Sequence, residues 1–512
     1  MKTKALRVCV FALTFFVSAP TRAQSPSSKS TAEPNITIIQ GISTPILSLD
    51  PFSIAGIDAY TVTGNIIEPL ARSNPRNGQM TPVLAKSWTL DAKNKTFRVK
   101  LKENVRFHNG EDLTAEDVRF TWQAYFDPKF KGQIWQAMWS EIESVKVIDK
   151  LTVEFKMKNW RYQTFETTMT SLRILPKSFY ASADKKKFRE NIVGTGPFKQ
   201  KVFKVNRPLE IEPFENWWGM DKPKHSVLFK HVATVKLATE LMTKGQLDFY
   251  PLGESKATDT KYLLSFESGL GAGLWINLNM SLPLFQDLTN RKILELCWDR
   301  KKTNEKIFAG KMELALDIFS PRTDVHGTVP ATKDGEAAVN LLKSNQWLDK
   351  DQDGTVEKDK LKFDFTILAK NAEQERWLTF FQNDLKECGV RVRLQRLADD
   401  EQWLKRLKEG RFEAYASGGG LINEPTSLSW STNGPYNNQK FSDTEIDQWT
   451  AQLEYEFDLQ KRRLILRKAI ERIRLVKPFV PGLITRYEHF FVSTRLIPDP
   501  TAPSEAWSWK LN

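Results

Sequence analysis

The chain has 512 residues, more than one hydrophobic core usually serves, so at least two lobes are expected. Its formal charge is +13, but the basic residues are interleaved with acidic ones along the whole length, which excludes the clustered patch of a nucleic-acid binder. Three cysteines are too few for a disulfide scaffold, and beyond the N-terminus there is no run of roughly 18 apolar residues to cross a membrane.

Lys2, Lys4 and Arg7 precede an apolar run from Val8 to Val17 and then Ala19-Pro20-Thr21-Arg22-Ala23, the layout of a secretory signal. Cleavage is expected after Ala23, because Pro20 disfavours a cut after Ala19, and Cys9 lies too early to carry a lipid anchor. The mature chain is therefore expected to be periplasmic, with its charge lowered from +13 to +9 by the loss of Lys2, Lys4, Arg7 and Arg22. Cys297 and Cys388 remain, either as a pair or as two buried thiols. Residues 24–33 read as a flexible leader, and order is expected to begin at the alternating strand Ile36 to Gln40.

Phe97, Val99 and Leu101 alternate with Arg98, Lys100 and Lys102, the period of a strand with one buried face. His108-Asn109-Gly110 is a turn, with a local hydrogen bond expected for His108, and Thr114 is expected to cap a helix that carries Val118 and Trp122 on one face. Further along, Gly194-Thr195-Gly196-Pro197-Phe198 reads as a turn into a strand, since no Lys-Ser/Thr follows as a phosphate loop would require. A helix and strand joined at Gly389 span Trp377 to Leu394, and an amphipathic helix is expected from Arg463 to Val476, stopped by Pro478.

Several of these strings resemble the signature of the extracytoplasmic solute-binding proteins of ABC importers, family 5, the peptide and nickel type. They are Pro82 to Trp88, Val105 to Gly110, Leu113 to Val118, Leu49-Asp50-Pro51, Asn65 to Leu70, Gly194 to Phe198, Glu215 to Gly219 and Trp298-Asp299-Arg300. The resemblance covers nearly the whole mature chain. It implies an α/β fold, the two-lobe periplasmic binding protein fold of the large type, with mixed sheets flanked by helices and an inserted third subdomain. By analogy lobe one is 34–71, 192–272 and 485–512, the inserted subdomain 72–191 and lobe two 273–484.

In peptide-binding members the ligand lies extended between the lobes and pairs its backbone with short strands. Here the resemblance assigns those strands to Ile54-Ala55-Gly56-Ile57 and to Ser417-Gly418-Gly419-Gly420-Leu421-Ile422, which precedes Asn423-Glu424-Pro425-Thr426-Ser427. The candidate ligand-binding residues are Ala55, Gly56, Ile57, Ser417, Gly418, Gly419, Leu421 and Trp430, the last either bordering the cleft or, as is commoner for tryptophan, buried in a core. Peptide binders carry an aspartate for the ligand's ammonium four residues before the proline, where this chain has Leu421. The three glycines either widen a pocket or serve a loop of positive φ.

No catalytic, metal or cofactor site is expected. There is no Gly-x-Ser-x-Gly, His-Glu-x-x-His or Walker loop, and His108, His225, His231, His326 and His489 show no ligand spacing. Asp349, Asp351, Asp353 and Gly354 open like a calcium loop, but Lys360 stands where the closing glutamate belongs, so a solvated turn is expected. The function expected is a monomeric periplasmic component that captures an oligopeptide or similar extended solute for an inner-membrane ABC permease. The alternatives are a solute without a free amine, such as a cell-wall fragment, opine or oligosaccharide, and a periplasmic chaperone or chemosensory receptor.

Overall fold

The computed structural model describes residues 36–53, 56–74, 78–130, 136, 139–205, 207–253, 262–320, 333–498 and 506–511. The expected signal and leader lie outside these, as does Ala55. Two long antiparallel strands, Leu263–Leu278 and Phe479–Val492, run through the middle of an eleven-stranded mixed sheet. On one side Ala414–Gly420, Asp364–Ala369 and Arg391–Arg396 extend it. On the other come Phe249–Gly253, Ile36–Ile42, His225–His231, Leu209–Pro213 and Phe198–Val202. The two central strands slip register between Glu267 and Ala272, so the chain changes from one half of the sheet to the other along a continuous ribbon.

A separate four-stranded antiparallel sheet has the order Ala85–Asp91, Thr96–Leu101, Thr152–Met157, Ile142–Asp149. Its sequence pattern holds: Phe97, Val99 and Leu101 are fully buried, whereas Arg98 and Lys100 face water. Phe97 stacks on Phe155 with ring centroids 4.7 Å apart and meets Phe165 edge-on. Each such side chain contributes about 1.5–3 kcal/mol by burial alone.

The helix Ala115–Phe126 starts where expected, behind a capping box in which Thr114 and Asp117 cap each other. The Asp117 carboxylate accepts from the Thr114 backbone N–H at 2.9 Å and from the Thr114 hydroxyl at 2.7 Å. Its other oxygen accepts from the Lys177 N–H, tying the helix start to the next segment. The His108 bond is not local either. His108 Nε2 lies 3.0 Å from the Gly196 carbonyl, and Nδ1 accepts from the Gly194 N–H at 3.3 Å. This geometry fits a neutral ring donating through Nε2, and burial pushes the His108 pKa down to about 4.

Glu68 grips the same turn from the other side. It is fully buried, accepting from the Thr195 hydroxyl and the Trp218 indole, each at 2.9 Å, and burial raises its pKa. A Cβ on Gly194 would lie 2.2 Å from the Ile66 carbonyl oxygen, so close approach requires glycine there.

Cys297 and Cys388 are joined in a disulfide inside the core that holds Trp298, Trp377 and Phe381. The helix Leu459–Val476 begins earlier than the pattern suggested because Asp458 caps it, accepting from the Gln460 and Lys461 N–H groups. At the acidic turn, Lys362 spans Asp351 at 2.6 Å and Asp353 at 2.7 Å. Those lysine bonds hold the Asp353 pKa well below the usual carboxylate range, so the ammonium itself supplies the positive charge that the turn attracts.

Candidate ligand-binding site

Ala414–Gly420 pairs antiparallel with residues 272–278 along its whole length, placing Gly418 opposite Leu274, Gly419 opposite Gly273 and Gly420 opposite Ala272. Its other edge meets Asp364–Ala369 only at Ala414 and Tyr415. Ile422 is bridged by Phe319. Between those two points, residues 416–420 face no strand among the described residues. Such an edge offers backbone groups to an extended chain.

The glycines keep that edge bare. A Cβ on Gly419 or Gly420 would meet nothing within 4 Å, and Gly418 and Gly420 are exposed. Gly419 has φ +130°, a conformation that L side chains rarely adopt, whereas no such constraint acts on Gly420. The positive-φ reading of the glycine run therefore holds at Gly419. The Ser417 hydroxyl accepts from Asn277 Nδ2 at 2.8 Å, and Gln439 in turn donates to Asn277, which fixes the strand where the open edge begins.

A cavity of about 230 Å³ opens beside Gly418 and Gly419, walled by Phe308, Met312, Gln374 and Trp377. No motif in the sequence marks those wall residues. They come from two stretches more than 60 residues apart, 308–312 and the helix Ala372–Glu387, so no local spacing could have assembled them. Asn371, also on the rim, caps the helix Ala372–Glu387 by accepting from the Gln374 N–H at 2.9 Å.

The other predicted residues separate from this group. Leu421 is 7% exposed and packs with Ala315 and Ile484 over Gly271 and Gly273, so its side chain fills an apolar gap. Trp430 is 4% exposed and lies among Phe319, Phe441 and Phe479. The structure thus places it in a core rather than on the rim of a cleft, as the aromatic neighbours on three segments dictate. Of the expected strand at residues 54–57, Ile54 and Ala55 lie outside the described residues, and the rest is corrected: Gly56, at φ 91°, precedes the helix Ile57–Thr63, which Ile57 opens. Asp58 in its first turn accepts from the Ser43 and Thr44 hydroxyls and the Thr44 N–H, each at 2.7 Å, which anchors the helix start and takes Ile57 out of extended backbone.

A second cavity, of about 250 Å³, lies where the four-stranded-sheet region meets the segment after Asn423; Tyr162, Glu166, Glu424 and Arg462 line it. Arg462 donates to Glu424 at 2.6 Å and stacks 3.8 Å over the Tyr162 ring. Trp160 stacks on Phe457 beside it, with centroids 4.2 Å apart. This is a joint between regions, closed by aromatic and ionic contacts.

The model of the bacterial extracellular solute-binding proteins, family 5 Middle, matches residues 79–440. The chain belongs to this family of solute-binding proteins. It is 27% identical to the oligopeptide-binding protein AppA of Bacillus subtilis, in a match spanning 58% of each chain, little more than half of that relative. It is 22% identical to the nickel-binding periplasmic protein of Escherichia coli over 71% of this chain and 72% of that one. Among solved structures, the unliganded open form of the periplasmic murein tripeptide binding protein MppA matches with a TM-score of 0.78 at 18% identity, covering 94% of this chain and 98% of that one. The fold is accordingly the α/β, two-lobe binding-protein fold of the large type, with its inserted subdomain. Among the described residues, no helix is long and apolar enough to cross a membrane.

Proposed function

We propose that this protein is the periplasmic solute-binding component of an ABC importer, capturing an oligopeptide or similar extended solute between its lobes and delivering it to an inner-membrane permease. The observation that carries this reading is the open edge at residues 416–420, bare of side chains at Gly418, Gly419 and Gly420, in a member of a solute-binding family. Several backbone hydrogen bonds of about 0.5–1.5 kcal/mol each hold an extended chain without reading its side chains. The cavity beside Gly418 then takes one side group of the ligand. On the facing side the ligand runs past Ala55, Gly56 and Ile57.

The lobes are assigned as 34–71, 192–272 and 485–512 for the first, with 72–191 inserted, and 273–484 for the second. The long strands Leu263–Leu278 and Phe479–Val492 support two crossings between them. Ligand binds the closed arrangement more tightly and so shifts the population toward it, which is the signal the permease reads.

Leu421 favours a narrower version of the reading. An apolar side chain stands where a counter-charge for an ammonium is needed, and an unpaired buried charge is costly. The solute is therefore one without a free amine near this point. The test is mass spectrometry of whatever the purified mature protein releases on denaturation. Amine-blocked peptides support the proposal in full; a ladder of peptides with free amines upholds peptide capture and overturns the Leu421 reading; a single non-peptide mass replaces the substrate while leaving the fold-based role intact.

A further inference from the structure

Between the helices Thr444–Tyr455 and Leu459–Val476 the chain turns through Glu456, Phe457 and Asp458, and Phe457 is the apolar member of that turn. The turn is braced from behind. Buried Arg462 donates to the Leu453 carbonyl and, at 2.9 Å, to the Glu456 carbonyl, while the Asp458 N–H donates to the Glu456 carboxylate at 2.8 Å.

The ring so held reaches out of its own part of the chain. Phe457 stacks on Trp160 with centroids 4.2 Å apart, meets Tyr162 edge-on at 5.6 Å and lies 5.8 Å from Phe165. Among the described residues, it is the only apolar side chain from 273–484 packed against the core that holds Phe97, Phe155 and Phe165. Two contacts flank it. Arg462 stacks 3.8 Å over the Tyr162 ring, and Arg161 Nε lies 3.4 Å from the Glu454 carboxylate. The Arg161 and Glu454 side chains are both partly in water, where an ion pair contributes little, so the aromatic contact is the one that decides.

Phe457 belongs to neither of the long strands Leu263–Leu278 and Phe479–Val492 that support the crossings between the lobes, so this tie is made by side chains alone. A rotation that parted 72–191 from 273–484 would turn the facing surfaces of Phe457 and Trp160 into water, a loss of apolar burial that opening has to meet. The joint also stands next to the open edge: Asn423, Glu424 and Thr426, which line the cavity beside Arg462, come just past residues 416–420 in the chain.

We infer that Phe457 is the latch of the cleft: seated against Trp160, Tyr162 and Phe165, it holds the closed arrangement of the lobes, and a captured solute leaves only after the ring withdraws. It is a positioning residue, acting on the solute through closure. The inference rests on the proposed assignment of 72–191 and 273–484 to opposite walls of the cleft. The latch sets how long a solute stays more than how fast it enters, because the ring has to break its contacts before the lobes part.

Small-angle X-ray scattering of the solute-free mature protein gives the first reading. Phe457→Ala is expected to have a larger radius of gyration than the wild type, and Phe457→Tyr, which keeps a ring, to match the wild type. Trp160→Ala attacks the same contact from the other side and is expected to expand the protein equally, with the double variant no larger than either single one. Unchanged radii in both alanine variants overturn the latch, and mean that 72–191 travels with 273–484. The second reading is the binding kinetics of N-acetyl-trialanine amide, followed by surface plasmon resonance. Phe457→Ala is expected to release it about tenfold faster while association stays within about threefold. Release as slow as from the wild type, or a loss confined to association, overturns the latch. If the peptide binds neither protein, strand capture of peptides is what fails, and the scattering decides the latch.

Discussion

The four-stranded sheet around Phe97 and the strand Ala414–Gly420 are both antiparallel pairings, yet they are specified in opposite ways. In the first, buried aromatic and branched side chains on one face fix the register, because a slip of one residue would expose Phe97, Val99 and Leu101 and bury Arg98 and Lys100. In the second, the outer half of the strand carries no side chains at Gly418, Gly419 and Gly420, and its register is set by its partner strand and by Asn277 holding Ser417. The comparison teaches that side chains hold the scaffold, whereas at the site the scaffold is used to present backbone.

The largest effect that could break this comparison is in the sheet. Phe97→Ala removes a fully buried ring that contacts Phe155 and Phe165, and is expected to destabilise the protein by about 3–5 kcal/mol. Urea unfolding measures it. A loss below about 1 kcal/mol would mean that the sheet is not side-chain-determined.

The turn at residues 194–196 comes next, and pH sharpens it. His108, with a folded pKa of about 4 against the usual 6.5, makes the native state bind fewer protons than the unfolded chain between those values. Its contribution is thus complete above about pH 6.5 and is lost as pH falls toward 4, an acid limb of about 3 kcal/mol. His108→Gln is expected to flatten that limb in Tm measured against pH. Glu68 has the opposite sign, because its folded pKa is raised: its native state binds more protons, so stability falls as pH climbs from the ordinary glutamate value through the raised one. Glu68→Gln is expected to remove that decline while retaining an acceptor for Thr195 and Trp218. An unchanged pH profile in both variants would mean that neither group titrates in the fold.

The difference between the two regions also explains what was legible in the sequence. Alternation announced the Phe97 strand, turn chemistry announced Gly110 and Gly389, and the glycine run marked the open edge. Where capping chemistry competes with periodicity, the reading slipped. Asp458 starts its helix early, and Asp58 helps make Ile57 helical. For Trp430 the sequence left cleft and core both open, because an aromatic beside a motif is indistinguishable in sequence from one beneath it; Phe319, Phe441 and Phe479, brought from other segments, decide for the core. The walls at Phe308, Met312 and Trp377 were invisible for the same reason.

The smallest effect on stability carries the sharpest contrast. Gly420 is exposed, a Cβ there meets nothing within 4 Å, and its φ lies outside the region that demands glycine. Gly420→Val is therefore expected to change stability by no more than about 0.5 kcal/mol, with the strand preference of valine offsetting any loss. Binding should respond quite differently. A branched side chain beside the open edge obstructs a ligand strand and is expected to weaken capture of the released solute about tenfold or more, read by calorimetry. The paired outcome, a stable fold with lost affinity, is what a backbone-presenting edge requires. Undiminished affinity would mean that the solute pairs elsewhere, and a large loss of stability would mean that the glycines serve the fold after all.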